Sequence, residues 1–168
     1  MSDHSIEKIY YTRHANEVVE HTNFDMDLKE IYEMVFSYNA RYHIIEEILD
    51  KSKEYNLLVE IGSGGGATLK YFSENFKFKK IIGYDIAFSE TTLKKNKYKD
   101  VQLLEGNFNH DIPLKDNSVD CLVMMMIIEH LFDPFHSFSQ IHRILSKDGL
   151  AFINVPIVTS IKNRFRLL

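Results

Sequence analysis

Leu57-Leu58-Val59-Glu60-Ile61-Gly62-Ser63-Gly64-Gly65-Gly66 decides the fold. An apolar run carrying a single acid reads as a strand buried on both faces, and the glycines that stop it read as a tight loop. Glycine lets the backbone turn sharply and leaves open the space a Cβ would fill, so a ligand can approach the chain. A helix is expected from Ala67 to about Asn75, burying Leu69, Phe72 and Phe76. Its N-terminus offers unpaired N–H groups and the positive end of the helix dipole. In an open parallel sheet, ligands lie at the carboxyl ends of the strands, near the point where strand order reverses. Residues 62–66 belong there.

The pattern repeats downstream. Ile81-Ile82-Gly83-Tyr84 reads as a second strand ending at Asp85, and Ser89 as the cap of a short helix through Leu93. Val101 to Leu104 is a third strand, and Val119 to about Met126 a fourth, the most apolar. Asp133 at a cap position with Pro134 behind it marks the next helix. Its expected apolar face is Phe135, Phe138, Ile141, Ile144 and Leu145. Ser146-Lys147-Asp148-Gly149 reads as a turn, and Leu150 to Val155 as a fifth strand stopped by Pro156.

Upstream, the first 55 residues read as helical. Asp27 and Glu30 resemble a capping box before Leu28, Ile31, Met34 and Val35. A second helix is expected from about Tyr38 to Lys53, with Tyr42, Ile45, Ile48 and Leu49 as its stripe and Ile44 beside it. Strands alternating with helices predict a doubly wound, mostly parallel α/β sheet with helices on both faces. The expected organisation is a helical segment over 1–55 belonging to the same domain, a core over 56–160, and the start of a further segment over 161–168.

At 168 residues the chain suits one domain. It is 45% hydrophobic and 26% charged, as expected for an ordinary globular core. A formal net charge of −4 argues against nucleic acid bound through bulk charge. Lys77, Lys79, Lys80, Lys94, Lys95, Lys97 and Lys99 crowd one stretch and read as a solvated face. Cys121 is the only cysteine and lies in an apolar run, so no internal disulfide forms and a cytoplasmic setting is expected. The polar N-terminus lacks a signal core, and the longest apolar run is too short to span a membrane.

Asp85 ends the second strand 19 residues after Gly66. A carboxylate there can accept hydrogen bonds from both hydroxyls of a ribose. Nucleoside binding follows from these features; the identity of the nucleoside does not. Gly62-Ser63-Gly64-Gly65-Gly66-Ala67 also satisfies the dinucleotide fingerprint of NAD(P)-dependent oxidoreductases. Glu60 speaks against that reading, because it puts a carboxylate where a pyrophosphate would lie.

The residues from Val59 to Gly66 resemble the first motif of class I S-adenosylmethionine (SAM)-dependent methyltransferases. Asp120-Cys121-Leu122-Val123, Ile128-Glu129-His130-Leu131, Asp133-Pro134, Ile141 to Gly149 and Asn154-Val155-Pro156 resemble the small-molecule (type 11) branch, in order. The resemblance covers about residues 38–160. It implies a Rossmann-like fold and SAM as cofactor, with S-adenosylhomocysteine (SAH) as product. By the same resemblance, Glu60, Gly62, Ser63, Gly64 and Gly66 surround the methionyl part, Asp85 holds the ribose, and Ile86 packs on the adenine. Asn107, beside Phe108, stands where many relatives have an aspartate facing the adenine amino group, and Met126 is placed at the cofactor from the end of strand four.

Transfer from a sulfonium needs alignment of nucleophile and methyl. For a hydroxyl nucleophile, His130 is the candidate general base, with Glu129 orienting it or facing the cofactor. No metal is expected: similar ubiquinone-pathway enzymes carry an acid where Met126 stands, and one Glu and one His are a poor set for a hard cation. Met124, Met125 and Met126 read as core filling. Tyr10, Tyr11 and Arg41 read as packing and surface. The resemblance also implies two strands after the fifth. Without them strand five is an open edge, and a truncated sheet or a homodimer covering that edge is expected. The acceptor expected by resemblance is a small molecule or glycoconjugate, with no nucleic acid and no membrane as partner. A non-catalytic SAM-binding scaffold is the competing role.

Overall fold

The computed structural model describes residues 41–155. Within them the order is α1 (Arg41–Ile48), β1 (Glu54–Ile61), α2 (Ala67–Asn75), β2 (Lys77–Asp85), α3 (Glu90–Lys95), β3 (Val101–Glu105), β4 (Val119–Met125), a 3-10 turn (Ile128–His130), α4 (Pro134–Ile144) and β5 (Leu145–Asn154). All strand pairs are parallel, in the order β3-β2-β1-β4-β5. Chain order reverses between β1 and β4, so the glycine loop leaves the sheet at the switch point.

The β1–β4 register explains the unbroken apolar runs. Leu58 pairs with Cys121 and Val59 with Leu122, so successive residues feed opposite faces. Leu58, Cys121 and Val123 pack with Ile45 of α1, Leu49 just after it, and Leu69 and Phe72 of α2. Val59, Ile61, Leu122 and Met124 pack with Ile141 and Ile144 of α4. Helices on both faces leave the central strands no solvent side, which is the doubly wound arrangement expected from sequence.

Several boundaries differ from expectation. Helix α1 ends at Ile48 instead of Lys53, because Asp50 Oδ1 accepts from Ser52 N at 2.8 Å and from Ser52 Oγ at 2.6 Å, closing a turn. Ile44 and Ile48 are about half exposed, and of the expected stripe Ile45 and Leu49 are buried. Strands β1 and β2 begin earlier than expected, at Glu54 and Lys77. There the sheet outruns its cover and polar residues alternate with Tyr55 and Phe78, whose rings stack at 5.1 Å. The expected turn at 146–149 is absorbed into β5 as an irregularity: Val119 pairs with Leu145, and two residues later Cys121 pairs with Leu150.

The buried face of α4 is Ser137, Gln140, Ile141 and Ile144. Phe135 is 86% exposed and Phe138 43%. Hydrogen bonds from two polar residues set this rotation. Ser137 Oγ lies 3.4 Å from Phe108 O, and Gln140 Oε1 accepts from Ile112 N at 3.3 Å. Arg143 completes the lock by donating to Leu114 O and Ile112 O, both at 2.8 Å. The capping box at Asp27, Tyr10, Tyr11, Pro156 and the segment 161–168 lie outside the described residues.

Candidate cofactor site

Three glycines with positive φ shape the loop after β1: Gly62 (+74°), Gly64 (+50°) and Gly66 (+88°). Gly62 donates its N–H to Tyr84 O at 2.8 Å, tying β1 to β2. A Cβ on Gly62 would fall 2.1 Å from Ile127 Cδ1, so the segment after β4 presses directly on the loop. A Cβ on Gly64 would meet nothing within 4 Å, so that side of the loop faces open space. Gly66 is the N-cap of α2 and supplies no side-chain cap, which leaves the N–H groups of the first turn for an anionic group.

Asp85 closes β2 beside this loop. Its Oδ2 accepts from Gly64 N at 2.8 Å and its Oδ1 from Ile86 N at 2.7 Å. With Ala87 N–H as a third backbone donor, about one of the four lone-pair sites of the carboxylate is left for a further donor. Burial raises its pKa from the ordinary value, against the lowering effect of backbone N–H groups of Gly64, Ile86 and Ala87.

Glu60 is 3% exposed, and its Oε2 has no hydrogen-bond partner. Burial holds its pKa well above the carboxylate range; a hydrogen bond from Thr68 works the other way, and the charge of Asp85 adds to the rise. Ser63 Oγ and Asn154 Oδ1 are likewise buried without partners. Ser63 follows the end of β1, Glu60 is its penultimate residue, and Asn154 is the last residue of β5. Buried polar atoms are normally paired, and these three gather at the carboxyl end of the sheet. Asn154 had been read from sequence only as part of a strand ending; its unpaired amide oxygen carries no sequence signal.

The loop after β3 is tied together by its own asparagines. Asn107 is buried, and its Oδ1 accepts from Asn109 N at 2.9 Å and Asn109 Nδ2 at 3.1 Å. The acceptor assigned to an adenine amino group is thus engaged within the loop. Phe108 is 6% exposed and belongs to the core on the α4 side. Ile86 is half-buried beside Asp85. Asn109 Oδ1 in turn accepts from Phe132 N at 2.8 Å, joining this loop to the segment before α4.

Met126 sits just past β4 with φ of +59°, a strained conformation for a side chain with a Cβ, and is 39% exposed. Its N–H donates to Asn154 O at 3.0 Å. Glu129 and His130 lie in the 3-10 turn, both exposed. Neither side chain hydrogen-bonds the other or any described residue. Among the described residues no group of three or more His, Cys, Asp or Glu is placed to hold a metal ion, and no helix is long and apolar enough to cross a membrane.

Comparison with known proteins agrees with this geometry. A family model described as "Methyltransferase domain" (type 11) matches residues 59–153, more than half of the chain. A protein of Mycolicibacterium smegmatis described as a probable S-adenosylmethionine-dependent methyltransferase is 31% identical over 78 residues, covering 46% of this chain and 30% of that protein. A solved S-adenosyl-L-methionine-dependent methyltransferase of Methanococcus maripaludis superposes with a TM-score of 0.63 at 22% identity, covering 84% of this chain and 62% of that one. A methyltransferase of Haloferax volcanii, solved in complex with the Trm112 methyltransferase activator, gives 0.61 at 24% identity, covering 71% and 52%. The chain thus matches about a third of the length of its curated relatives. It belongs to the methyltransferase domain family, a class I fold whose cofactor is S-adenosylmethionine.

Proposed function

We propose that the chain binds SAM at the carboxyl ends of β1 and β2 and transfers its methyl group to a small-molecule or glycoconjugate acceptor in the cytoplasm. One observation carries the reading: Glu60 Oε2 is buried and unpaired beneath a glycine loop that is itself tied to Asp85. An unsatisfied buried carboxylate oxygen is costly alone and favourable opposite an ammonium.

The residues present fit the cofactor. Glu60 suits its ammonium, the uncapped start of α2 its carboxylate, and the remaining acceptor position of Asp85 a ribose hydroxyl. The open side of Gly64 gives the ligand room against the backbone, with Gly62, Ser63 and Gly66 setting the loop. Ile86 offers an apolar face for the base. Asn107 and Phe108 after β3, and Met126 after β4, are the further proposed contacts at this end of the sheet. When bound, SAM supplies a methyl already activated by the sulfonium charge. The protein's task is alignment, which can contribute about 7–11 kcal/mol. For a hydroxyl acceptor, His130 is the proposed base, exposed at the mouth with Glu129 next to it. A general base contributes roughly 10²–10⁴ in rate. A second copy of the chain would pair along the outer side of β5, a sheet edge among the described residues.

A thermal melt with SAM, SAH and NADH tests the cofactor. A ligand at about 100 times its Kd stabilises by roughly 2.7 kcal/mol, a rise of about 5–11 °C in Tm for a chain of this length. A rise with SAM and SAH and none with NADH supports the reading. A rise with NADH alone sinks it. Activity is then read as methyl transfer from SAM to an acceptor panel, with His130→Ala lowering the rate for hydroxyl acceptors.

A further inference from the structure

We infer that the acceptor carries an uncharged hydrophobic ring or chain, and that this part of it rests on Phe132, Phe135 and Phe138. The inference rests on the reading of the carboxyl end of the sheet as the methyl-transfer site.

Among the described residues, Phe132 and Phe135 pack little against the fold and Phe138 packs only in part. Phe132 is 80% exposed, Phe135 86% and Phe138 43%, and none stacks on another described ring. Phe132 immediately precedes the N-cap Asp133, where an apolar side chain usually packs on the fourth helical residue. That residue is Ser137, which is turned inward with its Oγ 3.2 Å from Asp133 O. Ser137 offers no apolar partner, so the staple is absent and Phe132 stays exposed. Exposed aromatic side chains clustered on one segment mark binding surfaces.

Their position connects them to the site. The segment that carries them leaves the carboxyl end of β4, and its Ile127 fills the space over Gly62. The Phe132 N–H is pinned to Asn109 Oδ1, on the loop after β3. The segment that carries the rings is thus anchored to the loops after β1 and β3.

Charge and size select the occupant. Residues 126–142 contain no Lys or Arg, with His130, His136 and His142 as their only basic side chains, and Glu129 and Asp133 on this segment and Asp111 on the loop after β3 are exposed. An anionic bilayer, or an acceptor with a negative tail, would be repelled. Complete burial of three phenyl side chains would cover about 450–750 Å² at 150–250 Å² each, and their partial burial in the fold reduces this further. A stable protein partner needs about 800 Å² on each side. One alkyl chain or ring system is the better match.

The test uses the full chain saturated with SAH and two probes with the same head group, methyl gallate and octyl gallate, titrated by calorimetry. Octyl gallate should bind at least tenfold more tightly. The double variant Phe132→Ser/Phe135→Ser should bring it to the level of methyl gallate, with SAH affinity and Tm unchanged. Equal affinity of the two gallates overturns the inference, as does an octyl preference that survives the double substitution. So does a wild-type dimer that the substitutions convert to monomer in light scattering, or sedimentation with phosphatidylcholine vesicles without octyl gallate binding. If SAH itself fails to bind, the methyl-transfer reading falls and this inference with it; the gallate titration fails alone when only the rim is misread.

Discussion

The backbone N–H of Gly64 donates to Asp85 Oδ2 at 2.8 Å, so the glycine loop and the acid that closes β2 form one hydrogen-bonded unit. Asp85→Ala removes the acceptor for both Gly64 N and Ile86 N and should cost about 1–3 kcal/mol of stability. Asp85→Asn keeps a carbonyl in place and loses the charge. Its SAH affinity should fall about 10- to 100-fold, since hydrogen bonds to a charged group are worth about 1.5–3 kcal/mol. Calorimetric titration of both variants checks this.

Gly62 and Gly64 share a positive φ and differ in surroundings. Gly62→Ala meets both the left-handed penalty of about 1–2 kcal/mol and the Ile127 side chain, whose displacement adds about 1–3 kcal/mol. Gly64→Ala meets the backbone penalty alone, and its methyl enters the open side of the loop. Urea denaturation should therefore show the larger loss for Gly62→Ala. For Gly64→Ala, SAH binding should weaken by more than its modest stability loss accounts for.

Glu60 links stability to pH. Its folded pKa lies above the unfolded value, so the folded state holds its proton longer. The stabilisation is complete below the unfolded pKa of about 4.3 and is lost as pH rises towards the higher folded value. Glu60→Gln carries no such loss. Denaturation of the ligand-free chain over a pH series should show the variant gaining on wild type as pH rises from about 4. Its SAH affinity should drop, because the ammonium loses its counter-charge. Wild-type SAH binding should strengthen with rising pH over the same interval.

On α4, Ile144 is fully buried and Phe135 almost fully exposed. Ile144→Ala should cost about 2–5 kcal/mol, and Phe135→Ala should stay within about 0.5 kcal/mol. Reversed magnitudes would mean that the helix faces the sheet with the phenyl side first.

Arg143 spans α4 and the loop after β3. Beyond the two carbonyls, it donates to Gln140 Oε1 at 2.8 Å and Asp116 Oδ1 at 2.6 Å. The Asp116 pair is exposed and contributes little; the carbonyl bonds carry the clamp. A lysine cannot span both carbonyls. Arg143→Lys should lose about 2 kcal/mol and speed amide exchange across residues 112–116, read by hydrogen–deuterium exchange.

Much of this was legible in the sequence. Val59 to Gly66 gives the switch-point strand and loop because burial on both faces and positive φ each leave a compositional mark. Ser89, Asp133 and Pro134 mark helix starts, and the structure has Ser89 Oγ accepting from Thr92 N and Asp133 Oδ1 from His136 N, both at 3.0 Å. The amino ends of β1 and β2 were not legible, since Glu54, Lys77, Lys79 and Lys80 lie in strand beyond the cover of the helices. The rotation of α4 was misread because Ser137 and Gln140 hold it by hydrogen bonds across 28 or more residues of sequence, which an apolar count ignores. The engagement of Asn107 by Asn109 and the strained φ of Met126 depend on loop geometry and leave no pattern in the residue types.

The irregularity in β5 has a practical corollary. Residues 146–149 lie at the amino end of that strand, the opposite end of the sheet from Asp85 and Asn154. Gly149 is fixed in place, since a Cβ there would stand 2.7 Å from Val119 O. Lys147 and Asp148 are exposed. Extra residues at an exposed tip carry a small entropic cost. A peptide tag or fluorophore inserted between Lys147 and Asp148 would therefore report on the molecule from the end of the sheet opposite Asp85 and Asn154.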